Sequence, residues 1–205
     1  MLLGEHVLLR GRIAVAQARQ AAPAEVRLEG FLAACAAEPG GDVLVGAQSK
    51  LVTFSPGGGT TEETLNTPVG TSAPYLYFTA VAMQGSYRVA AAPNGRLFIS
   101  QNQSAFEQAL ELSPITNTEP DGFRGLVVLP APTSTPSDLE GFAFGSETVP
   151  HPAARLLNAQ WSFSAPPVSG YSYWSAVGTG SDTVFVGGGV TSSFDGVILK
   201  GRRTP

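Results

Sequence analysis

The chain has 205 residues, of which 24 are glycine and 16 proline, against only 14% charged residues. Its formal charge is −4, with ten arginines scattered along it and lysine only at Lys50 and Lys200. A chain rich in turn formers and poor in helix-surface charge excludes a coiled coil or helix bundle, and the acidic balance gives no footprint for nucleic acid.

In chain order the first apolar run is 5–15, from Glu5 to Val15, too interrupted by Arg10 and Arg12 to serve as a signal peptide. Alanine and glutamine leave a short helix open over 14–25. Phe31–Cys35 then begins a series of short runs rich in β-branched and aromatic residues, each bounded by Gly, Pro, Asn or Asp. These are read as strands. Asp42–Gly46 and Leu51–Phe54 follow it. Next come Tyr75–Val81, Arg96–Ser100 and Phe106–Leu112, then Phe123–Leu129, Gly141–Gly145 and Leu156–Phe163. Tyr171–Val177, Thr183–Gly187 and Val197–Leu199 close the series. Short helices are also open at 104–112 and 153–159. Asn94-Gly95 and Asp195-Gly196 carry the pairs favoured in tight hairpins.

The runs repeat. Tyr75-Leu76-Tyr77-Phe78-Thr79-Ala80-Val81 and Tyr171-Ser172-Tyr173-Trp174-Ser175-Ala176-Val177 agree at four of seven positions. Phe123–Leu129 stands midway between them, and Phe31–Cys35 one step before, a period of about 48 residues. The units span approximately 1–20 (partial), 27–60, 75–112, 123–163 and 171–203, within one β-repeat domain. The largest insertion, Pro130–Asp138, falls between the first and second strands of its unit. Three or four short antiparallel strands per 40–50 residues are expected for a blade of a small all-β propeller of four to five blades. A β-sandwich is the alternative. Residues 4–17 have the pattern needed to supply a missing outer strand to the last unit and so close a ring.

Trp174–Val177 followed by Thr183–Gly188 is similar to a Kelch-type blade, in which a strand ends in paired glycines. Ser193-Phe194-Asp195-Gly196 resembles a degenerate Asp-box turn of sialidase-like propellers. The blade pattern as a whole resembles the β-propeller superfamily. That resemblance implies an architecture and brings no functional residue with it.

Catalytic chemistry is hard to assemble from these residues. His6 and His151 have no neighbour at metal-ligand spacing, and Cys35 stands alone. Glu62 with Glu63, and Asp138 with Glu140, are expected in solvated turns. The glycine run 57–59 lacks the lysine of a phosphate-binding loop. The cluster Lys200, Arg202 and Arg203 is expected to be a solvated tail. No metal or cofactor is implied, and enzymatic activity is left undecided, leaning against.

Aromatics are the better candidates. Phe78 and Trp174 are expected to pack between units, whereas Tyr75, Tyr77, Tyr171 and Tyr173 stand at strand starts and are the candidate ligand-binding residues. The expected function is therefore a non-catalytic binding or scaffold module for a protein or glycan, with further copies of the chain among its partners. A structural subunit of a large assembly, such as a virion, is one alternative, and a propeller-type hydrolase or lyase the other. No membrane span and no location in the cell can be read from the sequence.

Overall fold

A computed structural model describes residues 12–14, 25–27, 32–37, 41–47, 50–66, 78–93, 95–102, 104–110, 122–130, 139–145, 153–180, 182–190 and 195–202. All the regular structure among them is β. Strands β1 (Arg12–Ala14) and β2 (Glu25–Arg27) pair with each other. The first larger sheet is an antiparallel meander of β3 (Leu32–Ala37), β4 (Val43–Ala47), β5 (Leu51–Phe54) and β6 (Thr60–Glu62). The second holds β8 (Ala80–Gln84), β9 (Tyr87–Ala92), β10 (Arg96–Gln101) and β11 (Phe106–Leu110). The short β7 (Leu65–Asn66) joins that sheet's outer edge, parallel to β11.

The third sheet comprises β12 (Phe123–Leu129), β13 (Glu140–Gly145), β14 (Ala153–Leu157) and β15 (Gln160–Ser164). The fourth has three strands among the described residues, β16 (Ser172–Thr179), β17 (Thr183–Gly189) and β18 (Gly196–Arg202). Segments 106–110 and 153–157 are strands, so the helices left open there do not form. Most of 14–25, and the outer-strand segment before residue 12, lie outside the described residues.

Alternation explains how the sheets stack. Along β9, Tyr87, Val89 and Ala91 enter one core with Leu126, Val128, Ala143 and Trp161 of the third sheet. Their neighbours Ala90 and Ala92 enter another core with Leu44, Leu51, Phe78 and Phe98, facing the first sheet. A strand buried on both faces reads as a continuous apolar run, which is why β9 and most of β12 lack polar alternation. Strand β12 divides in the same way, Val127 and Leu129 turning to Phe144, Val184 and Val186 in a third core. Among the described residues the fourth sheet is covered on one face only.

First strands of successive sheets lie side by side, β3 against β8, β8 against β12 and β12 against β16. Glycine permits a close approach of β12 and β16. A Cβ on Gly125 in β12 would stand 2.8 Å from the carbonyl carbon of Ser175 and 2.9 Å from the Ala176 nitrogen. Backbone cannot yield as a side chain can, so Gly125→Ala is expected to destabilise by about 1–3 kcal/mol in urea unfolding. Residues of all four first strands, among them Ala36, Ala82, Leu126 and Ala176, surround one cavity of about 300 Å³.

Two turns separate expectation from structure. The run 156–163 is two strands, joined by Asn158 and Ala159 with φ of 51° and 61°. A two-residue turn with both φ positive suits the twist of a hairpin and favours Asn-Gly. Ala159 bears a Cβ penalty that glycine would not, so Ala159→Gly is expected to raise stability by about 1 kcal/mol, read as a higher urea midpoint. Asp195-Gly196 is no tight turn; Gly196 is already in β18, paired with Gly189.

The expected solvated carboxylates also behave differently. Glu62 is exposed and pairs with Lys50, but Glu63 and Glu140 are buried against Arg88 and Arg155. A carboxylate leaves water only when a partner and hydrogen bonds replace its hydration. Arginine does so in both cases, from the adjacent strand β14 for Glu140 and from β9 of the second sheet for Glu63.

Between the second and third sheets the Trp161 Nε1–H donates to the Tyr87 hydroxyl at 3.0 Å. Burial pushes the Tyr87 phenol up to about 12, the Trp161 hydrogen bond pulling slightly the other way. The folded chain thus holds that proton more tightly than the unfolded one. Its contribution is complete below pH 10 and is lost as pH rises from about 10 through 12, on the order of 2–3 kcal/mol at about 1.4 kcal/mol per unit. Urea midpoints measured across that window should fall less steeply in Tyr87→Phe than in the native chain.

Candidate functional site

The fourth sheet is where the fold leaves surface unfinished. In β16 a bulge between Tyr173 and Ser175 sets Tyr173 opposite Gly188 and Ser175 opposite Gly187, with Trp174 as the extra residue. A bulge re-aims side chains. Tyr173 turns inward and is fully buried, its ring 5.7 Å from Phe144. Its hydroxyl donates to the Val168 carbonyl at 2.7 Å and accepts the Val168 N–H at 3.0 Å. Burial is the main cause that raises its pKa above 10. Trp174 turns outward and is 51% exposed, resting on Gly189, where a Cβ would stand 3.0 Å from the indole.

Of the four candidate tyrosines, Tyr171 is half-buried beside the third core, and Tyr173 is buried with its hydroxyl satisfied. Tyr75 and Tyr77 lie outside the described residues, as do His6 and His151. Phe78 packs inside, edge-on to Phe98. Trp174, expected to pack between units, is half exposed instead, because the bulge inverts the simple alternation.

The outer face of the sheet combines Trp174 with Val177 and Ile198, which is 78% exposed. Phe185, opposite Val177, carries the Lys200 ammonium 5.7 Å above its ring. Lys200 and Arg202 thus belong to β18 rather than to a loose tail. What the sequence reading lacked was a count of alternation beyond Leu199: Ile198, Lys200 and Arg202 share one face, Val197, Leu199 and Gly201 the other.

The inner face borders a cleft of about 360 Å³ between the third and fourth sheets. Its walls are Leu129, Phe142 and Phe144 on one side and Val184, Val186 and Leu199 on the other. Phe142 and Phe144 lie nearly parallel, with centroids 6.1 Å apart. At the mouth the Arg155 guanidinium sits 5.8 Å over Phe142 and donates through Nε to Glu140 Oε1 at 3.0 Å, and also through Nη2. An apolar cleft bordered by Arg155, Lys200 and Arg202 is suited to binding, and none of its described lining residues pairs a nucleophile with a base.

No family model and no curated protein matches the chain. Among solved structures it is similar to the computationally designed protein Ika4, with a TM-score of 0.49 and 10% identity over 86% of this chain and 94% of that one.

Among the described residues no group of three or more His, Cys, Asp or Glu is placed to hold a metal ion. No helix among them is long and apolar enough to cross a membrane. The chemistry available at the fourth sheet is that of contact: an aliphatic and indole surface, two cations on its outer face, and an aromatic cleft behind it.

Proposed function

We propose that the chain is a non-catalytic binding or scaffold module, a small β-propeller of four to five blades that recognises a protein or glycan through its fourth sheet. The propeller reading is supported by the stacking of four antiparallel sheets, whose first strands border one cavity and whose later strands follow in order away from it. The β1–β2 pair would begin a further blade.

The observation that carries the binding reading is the outer face of β16–β18. Trp174, Val177 and Ile198 are all more than half exposed and lie beside Phe185 and Lys200. Large apolar side chains exposed together on one sheet face mark interaction sites. Its aliphatic content weights the reading toward a protein, since glycans need polar partners around an aromatic platform. Panning a displayed peptide library and a glycan array against the native chain and against Val177→Asp/Ile198→Asp tests it. Ligands retained by the native chain and lost on the variant support the reading, provided both unfold at the same urea midpoint. Ligands held equally by both contradict it.

The same face favours one second reading, a subunit of a larger assembly, in which it would meet another copy. Native mass measurement at micromolar concentration separates the two, since a clean monomer contradicts assembly.

A further inference from the structure

We infer that the outer edge of β18 accepts an extended strand from a partner protein, with apolar side chains entering the cleft and acidic ones lying beside Lys200 and Arg202. This rests on the fourth sheet being a binding surface and names the chemistry of what it binds.

The first support is the direction of the backbone groups. The Val190 N–H donates to the Asp195 carbonyl at 3.1 Å, in register with the unshifted β17–β18 ladder. Residues 190 and 195 are therefore a bond-exchanging pair, and so, at steps of two, are Gly188 with Val197 and Val186 with Leu199. The N–H and C=O groups of Ile198 and Lys200 then point away from β17. Among the described residues β18 pairs with β17 alone, whereas the first three sheets carry β6, β11 and β15 at the equivalent fourth place.

The second support is the cleft. Leu199 projects on the same face as Val184 and Val186, toward Phe142 and Phe144, and Lys200, Gly201 and Arg202 also border the cleft. At the preceding junction β11 contacts β15, and Leu110 packs in a core with Trp161. The fourth sheet lacks the described strand that would do this, and the cleft is the volume its inward side chains would fill. Strand addition supplies affinity through main-chain bonds and specificity through such alternate pockets.

Charge selects the partner. Lys200 and Arg202 stand on the outer face of a strand that is an edge among the described residues, where cations discourage pairing with a second copy of the same edge. Cross-strand opposite charges stabilise. The fitting segment alternates apolar with acidic residues.

The test uses the full chain and a fluorescent, N-acetylated octapeptide alternating valine and glutamate, titrated by anisotropy. Binding is expected to weaken at least ten-fold when lysine replaces glutamate. N-methylation of one alternate set of peptide amides should abolish binding, and methylation of the other set should change it less than three-fold. Ile198→Pro deletes an outward N–H without breaking a bond to β17, and should weaken binding at least ten-fold beyond Ile198→Ala. Equal affinity of the two methylated peptides, equal affinity of the proline and alanine variants, or no binding of the unmodified peptide overturns the proposal. If both methylated peptides bind and Leu199→Asp abolishes binding, the fourth sheet remains a binding surface and strand addition alone falls. Tighter binding by Val7→Asp/Leu9→Asp would assign the edge to the chain's own N-terminal segment and likewise overturn it.

Discussion

Arg88→Ala is expected to lower the unfolding free energy by about 3–5 kcal/mol, because it leaves a buried carboxylate without its counter-charge. Arg88 on β9 is only 5% exposed. Its Nη1 donates to Glu63 and, at 3.2 Å, to Thr53 Oγ1, both from the first-sheet side. Its Nη2 donates to Ser100 Oγ at 2.8 Å, and the guanidinium lies 5.2 Å over the Phe106 ring. Thr53 in turn donates to the same Glu63 oxygen at 2.6 Å. One side chain thus ties the first sheet to two strands of the second. Removing the pair together should be far milder, since desolvation opposes the Coulombic gain of a buried ion pair. Arg88→Met/Glu63→Leu is expected to recover most of the loss in urea unfolding. A single-variant cost below about 1 kcal/mol would mean that Glu63 finds water once Arg88 is gone.

Trp161→Ala is the second large effect, again about 3–5 kcal/mol. The indole fills the junction of the second and third sheets, its outer ring lying where a Cβ on Gly141 would come within 3.0 Å. Truncation opens a cavity that β-sheet backbone cannot collapse into, and it orphans the buried Tyr87 hydroxyl. Trp161→Phe keeps most of the volume and removes only the donor, so it should cost about 1–2 kcal/mol. Far-UV circular dichroism in urea is the appropriate readout. The other tryptophan, Trp174, is half exposed and reports poorly on the core.

Much of the β character was legible because turn residues punctuate apolar runs. Arg96–Ser100 became β10, and Gly95, with φ of 60°, turns the chain into it. The turn at Asn158-Ala159 was hidden because it uses alanine where glycine is the usual signal. Buried Glu63 and Glu140 were hidden for a different reason: adjacency in sequence says nothing about an arginine on another strand or another sheet. The reversal of Trp174 required a bulge, and a bulge leaves no mark in residue type. Propeller form and blade number stay with the repeat, since the described sheets are open meanders.

The candidate site was least legible. Tyrosines at strand starts are the sequence's candidates, while the large apolar side chains exposed on the described strands of the fourth sheet are Trp174, Val177 and Ile198. Exposure there depends on which sheet faces no other among the described residues, which the local sequence does not encode. Only the alternation of Val197, Leu199 and Gly201 with Ile198, Lys200 and Arg202 was there to be read locally.

The most direct measurement is residue-resolved amide hydrogen exchange of β18, with and without the valine–glutamate octapeptide at saturation. The Ile198 and Lys200 amides should exchange fast in the free chain and slow at least ten-fold in the complex, while the Val197 and Leu199 amides are protected in both. Unchanged, fast exchange at Ile198 and Lys200 in the complex would contradict the account.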